Sequence, residues 1–136
     1  MEQFHRWAAG NLLDNTVRGL FAEYIVHQAL GVDPGQHRIE WAEHNIAGPG
    51  WTAEVKAAAY IQSWEQNQPS RISFKIEQRT STFYLFALLD EQDRSLVNPQ
   101  DLSLWRFWLV PTADLPPARC QAAVARLRSA GSSWSR

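Results

Sequence analysis

Thr82-Phe83-Tyr84-Leu85-Phe86-Ala87-Leu88-Leu89 is a nearly continuous apolar run that stops at Asp90. A run of that length between polar breaks reads as a strand buried on both faces of a sheet. Trp105-Arg106-Phe107-Trp108-Leu109-Val110, closed by Pro111, reads as a second central strand. A sheet covered on both sides needs elements to cover it, and the flanking sequence supplies them. Upstream, Asp14 or Asn15 is an N-cap candidate and Gly31, with Pro34 beyond it, marks a helix stop. Between these ends Val17, Leu20, Phe21, Tyr24 and Ile25 recur at helical spacing and predict one buried face. Downstream, Pro116-Pro117 opens a last helix through Val124 and Leu127, with Arg119, Arg126 and Arg128 along it.

The middle of the chain carries the remaining strands. Arg38 to Ala42 is a short strand candidate, Gly48-Pro49-Gly50 is a strong turn signal, and Trp51 to Lys56 reads as the second strand of a hairpin. Ala57 to Trp64 either continues that strand or turns into a short helix. Ile72-Ser73-Phe74-Lys75-Ile76 alternates and fits a half-buried strand or a helix start. The order predicts an α/β fold with a mixed central β-sheet flanked by helices on both faces. One domain is expected over residues 1–130, followed by a flexible C-terminal tail at 131–136.

Composition bounds the function classes. The chain has 136 residues, 45% of them apolar, with seven Trp, six Phe and three Tyr. That is enough for one hydrophobic core and argues against disorder. Charged residues are 20%, below the average of about 25%, and so spare a charge allotment suggests that a partner, such as a second copy, covers apolar surface. The net charge of −1 lacks the basic footprint of a stand-alone nucleic-acid binder. A single cysteine, Cys120, excludes an internal disulfide and a cysteine metal cluster, and fits a reducing compartment. There is no signal-peptide pattern and no apolar run near the roughly 18 residues that span a bilayer. A soluble, cytoplasmic protein without membrane contact is expected.

The chemistry-bearing pattern is Glu54-Val55-Lys56. Side chains at i and i+2 leave one face of a strand, so a carboxylate and an ammonium stand side by side. Trp51, Ala53 and Val55 form the apolar face, with Thr52, Glu54 and Lys56 opposite. Spacing alone favours a solvated face with an incidental ion pair. Gly19 with Glu23 on the first helix, Asn45 at a strand end, Glu54-x-Lys56 and the downstream Gln62 together resemble the PD-(D/E)XK nuclease superfamily. The helix–strand–strand order is that of its core, and the resemblance covers roughly residues 15–64.

The resemblance implies a restriction-endonuclease-like fold and Mg²⁺-dependent hydrolysis of phosphodiester bonds, with Mn²⁺ as a substitute ion. It implies Glu54 as direct metal ligand, the Val55 carbonyl as a second oxygen, and Lys56 orienting or deprotonating the attacking water. Glu23 would hold the metal's waters, and Gln62 would position phosphate or substrate strand. The implied partner is nucleic acid, DNA in preference to RNA, handled by a homodimer or a larger assembly. The family places an Asp where Asn45 stands here, and a neutral amide removes one charge from the metal site. Three explanations stay open. The carboxylate has moved to Glu43 or Glu40, or Asn45 acts as a weak ligand, or the fold survives as a nucleic-acid- or protein-binding module without catalysis.

Other polar and aromatic residues have two readings each. His5, His27, His37 and His44 lack zinc-site spacing; His44 lies near the implied metal position or is a surface hairpin histidine. Trp41, Trp51 and Trp64 are core or dimer contacts, or stack on bases. Arg71, Lys75 and Arg79 contact phosphates or form a solvated face.

Overall fold

The computed structural model describes residues 1–35, 38, 44–76, 80–115, 120–123 and 133–134, with backbone only for the last two segments. Among the described residues the helices and strands run α1 (Glu2–Ala9), α2 (Asn15–Leu30), β1 (Ile46–Gly48), β2 (Trp51–Ala59), β3 (Ser73–Ile76), β4 (Phe83–Leu89), β5 (Trp105–Pro111), β6 (Cys120–Ala123) and β7 (Ser133–Trp134). The main sheet has the order β1-β2-β4-β5-β7, and β3 pairs with β6 in a separate two-stranded sheet. β2 and β4 are parallel while the other neighbours are antiparallel, so the sheet is mixed. The chain is one α/β domain.

Helix α2 begins where its cap directs. Asp14 Oδ1 accepts the backbone N–H groups of Thr16 at 3.0 Å and Val17 at 3.1 Å, satisfying two of the orphan donors of the first turn. Gly31, at φ 69°, closes the helix and its N–H reaches the Gln28 carbonyl. The buried face differs from the one expected. Arg18, Ala22, Ile25 and Val26 point inward, whereas Leu20 and Tyr24 lie outside. The small Ala22 allows close approach to β2, and Arg18 finds hydrogen-bond partners inside, so the helix is rotated from the orientation its largest apolar residues suggest.

Strand β4 is buried on both faces, as its run of apolar residues predicts. Leu85, Ala87 and Leu89 join Trp105, Phe107, Ala53 and α2 in one core. Tyr84, Phe86 and Leu88 face the other way, onto Phe74, Ile76 and Trp108. Phe74 and Phe86 pack with ring centroids 4.9 Å apart. Among the described residues the second face is therefore covered by β3 rather than by a helix. β3 in turn pairs antiparallel with Cys120–Ala123. This corrects the expected last helix at those positions: the ladder satisfies the backbone of β3, whose Phe74 and Ile76 are committed to the core. The rest of that expected helix, and the expected strand at 39–42, lie outside the described residues. Within the expected tail, Ser133–Trp134 pairs with Phe107 and Trp108 of β5.

The hairpin is tight because Gly48 admits Trp51. A Cβ on Gly48 would stand 2.3 Å from the Trp51 indole, so the ring covers the turn only while that position is glycine. Ala57 to Ala59 continue β2, which settles the ambiguity of that stretch. Among the described residues no helix is long and apolar enough to cross a membrane.

Candidate functional site

The site forms where β1 gives out and β2 continues. Ile46 pairs with Ala53, but the chain bends at His44 and Asn45, leaving the next stretch of β2 without a regular partner from β1. Asn45 fills the gap with its side chain: Oδ1 accepts the Val55 N–H at 2.7 Å. The bend is held from the helix side as well, since His27 Nε2 donates to the Asn45 carbonyl at 3.2 Å. That contact fixes the proton on Nε2 and leaves His27 Nδ1 buried without a partner among the described residues.

Glu54 and Lys56 leave the same face of β2, in register with Tyr84 and Phe86 of β4. Glu54 is half-buried, and that burial is the main reason its carboxyl titrates above the ordinary range. Lys56 draws it back, Glu23 pushes it further up, and His44 and Arg38 draw it back again. One other carboxylate, Glu23 of α2, and three basic groups, Lys56 of β2, His44 at the bend and Arg38, therefore act on Glu54. Glu23 itself is engaged by Arg38, with Nε 3.0 Å from Oε2. His44 is anchored to the start of β4, its Nδ1 2.7 Å from Ser81 Oγ. Ser81 is buried, and its carbonyl accepts the Thr112 hydroxyl at 2.6 Å.

Among the described residues, no three His, Cys, Asp or Glu side chains form a ready metal cluster. The carboxylates at this place are Glu54 and Glu23. Mg²⁺ keeps several waters and is commonly held by one or two carboxylates. Burial raises the proton affinity of Glu54 and Glu23 raises it further, and a cation bound there would oppose both effects. Asn45 fits less well as a direct ligand, because its carbonyl oxygen already serves Val55.

Of the residues expected at the site, Glu23 and Lys56 both act electrostatically on Glu54, and Asn45 is hydrogen-bonded to the residue between Glu54 and Lys56. Gln62 is elsewhere. It lies beyond the end of β2 and its Nε2 donates to the Ala59 carbonyl at 3.0 Å. At about 3.3 Å per strand residue, that point is about 17 Å from Glu54. Gln62 is buried, and its Oε1 accepts from Arg18 Nη1 at 3.2 Å. Arg94 ties the same loop from outside, donating to the carbonyls of Gln62 and Trp64. This network is a strut between α2 and the loop after β2.

Trp51 covers the hairpin, Trp64 is exposed, and Arg71 and Lys75 are exposed beside β3. His37, Glu40, Trp41, Glu43 and Arg79 lie outside the described residues. Three contributors had no strong sequence signal: Arg38, Ser81 and His27 each act through a partner distant in the chain. Arg18 left a trace, as a charged residue on an otherwise apolar helical face. Comparison with family models, with curated proteins and with solved structures returns no match.

Proposed function

We propose that this chain is a Mg²⁺-dependent nuclease of the restriction-endonuclease-like PD-(D/E)XK type, hydrolysing phosphodiester bonds of DNA. The observation that carries the reading is the setting of Glu54: a half-buried carboxylate beside Lys56, with Glu23, His44 and Arg38 in electrostatic reach. Glu54 holds the ion directly, and Glu23 orients its waters. A bound Mg²⁺ would supply polarisation of a phosphoryl oxygen and a water acidified toward neutral pH. Lys56 orients the attacking water and offsets the charge that develops on the scissile phosphate. Arg38 shields Glu23 when substrate is absent and is long enough to turn to a phosphate oxygen.

A second reading rests on Asn45. With its amide oxygen bonded to Val55, the position contributes geometry rather than charge, as expected of a nuclease fold kept as a binding module without catalysis. Plasmid nicking with Mg²⁺ or Mn²⁺ on the wild type and on Lys56→Ala separates the readings. Metal-dependent nicking that disappears in Lys56→Ala supports hydrolysis. Absence of nicking with either ion, alongside retained DNA binding, supports the module.

A further inference from the structure

Glu23 is a largely buried carboxylate whose cation comes from outside its own helix. Its side chain is 13% exposed, and Arg38, 40% exposed, donates from Nε to Oε2 at 3.0 Å. A carboxylate withdrawn from water needs such a partner. Within one turn, α2 offers only His27, and that ring is turned to the Asn45 carbonyl. The chain instead comes back over the helix. Gly31 at φ 69° and Gly35 at φ 80° turn it, Val32 packs on the core between them, and Arg38 returns to Glu23, about two turns before Leu30.

The contact is built to be exchanged. Arg38 makes one hydrogen bond to Glu23 and not the paired fork that gives an arginine–carboxylate contact its strength. Oε1 of Glu23 takes no donor among the described residues. The same guanidinium also acts on Glu54, so a single cation lies in the field of both carboxylates.

We propose, resting on the Mg²⁺ site at Glu54 and Glu23, that Arg38 is an autoinhibitory latch: it is the resident counter-cation of the two carboxylates, and a divalent ion binds by displacing it from Glu23. Two cations held against one pair of carboxylates repel each other, so the bound ion and the Arg38–Glu23 contact are alternatives. The apparent metal affinity is then the intrinsic one multiplied by the fraction of molecules whose latch is open.

The test measures Mn²⁺ binding by electron paramagnetic resonance on the full chain, wild type and Arg38→Met, which keeps an unbranched stem without the charge. Hydrogen exchange at Arg38 Nε, read by nitrogen-15 NMR, is followed through a Mg²⁺ titration of the wild type. Arg38 is exposed, and circular dichroism checks that the variant keeps its fold. Arg38→Met should bind Mn²⁺ about tenfold tighter, the factor expected when roughly nine molecules in ten have the latch closed. As Mg²⁺ saturates the wild type, the Nε–H should begin to exchange as freely as it does in metal-free Glu23→Gln, where the latch has lost its acceptor charge. Equal or weaker Mn²⁺ binding by Arg38→Met overturns the latch and leaves the metal site standing. So does an Nε–H that stays protected at saturating Mg²⁺, since the ion and the contact would then coexist. Absence of Mn²⁺ binding in both proteins overturns the metal site and the latch together.

Discussion

Asn45 Oδ1 accepts the backbone N–H of Val55 at 2.7 Å. Val55 lies between Glu54 and Lys56, so this hydrogen bond holds from the β1 side the part of β2 that the β4 ladder holds from the other. In an ordinary hairpin a backbone carbonyl of β1 would make the contact. Here the chain bends at His44 and Asn45, and a side-chain carbonyl takes the place of the ladder.

Asn45→Asp keeps an acceptor for Val55 and adds a negative charge close to Glu54 and Glu23. Without metal, that third carboxylate should lower the melting temperature through like-charge repulsion. With Mg²⁺ the loss should be recovered, and the metal-induced rise should exceed that of the wild type. Thermal melts in chelator and in Mg²⁺ measure both. Asn45→Leu, by contrast, leaves the Val55 N–H without its acceptor and should cost about 1–2 kcal/mol at any metal concentration.

Glu54 predicts a pH dependence of a defined sign. Burial first, and Glu23 next, raise its carboxyl above the ordinary value. The folded protein therefore holds the Glu54 proton to higher pH than the unfolded chain does. The associated stability is fully present below the ordinary glutamate range and is lost as pH rises through the raised folded value. Glu54→Gln should flatten that decline and melt higher than the wild type near neutrality, while abolishing metal-dependent nicking. Urea titrations across the acid-to-neutral range check it; a variant less stable than wild type at neutral pH would contradict the assignment.

Glu23 and Arg38 act on Glu54 in opposite senses, so their removal should be distinguishable. Glu23→Gln should bring the Glu54 carboxyl down, whereas Arg38→Ala should send it up by removing a cation and exposing the Glu23 charge. Carboxyl carbon NMR titration of the two variants reads the directions. Movement the same way in both would break the proposed arrangement around Glu54.

Much of this framework was legible in the residues. Asp14 and Gly31 bounded α2, the Gly48-Pro49-Gly50 turn set the hairpin, and the apolar runs gave β4 and β5. Alternation along β2 separated Ala53 and Val55 from Glu54 and Lys56, because a strand has period two regardless of tertiary context. The rotation of α2 was not legible, since Leu20 and Tyr24 are as apolar as core residues and only packing against β2 selects Ala22 instead. The β3–β6 pairing depends on a contact between residues 73–76 and 120–123, and local pattern carries no record of so distant a partner. The same holds for the Arg38–Glu23 and His44–Ser81 contacts, while Gln62 lies away from Glu54 for the opposite reason. A glutamine a few residues after Glu54-Val55-Lys56 matches a nuclease pattern in sequence, yet the strand between them is extended and carries it away.

The Gln62 network gives the last prediction. Arg18 is 1% exposed, and its Nη1 reaches both the Leu13 carbonyl at 2.9 Å and Gln62 Oε1 at 3.2 Å, while Nη2 reaches Asn15 Oδ1 at 2.8 Å. Burial lowers its proton affinity, with Asp14 opposing. Gln62→Ala removes one acceptor from a buried guanidinium and should cost about 1–3 kcal/mol. Arg18→Met with Gln62→Leu should cost less than the sum of the single changes, because the pair is removed together and neither is left unsatisfied. Nicking per folded molecule should be unchanged in Gln62→Ala, whereas a glutamine that touched phosphate would lower the rate in a protein of undiminished stability. Measuring unfolding and nicking on the same preparations decides between a strut and a substrate contact.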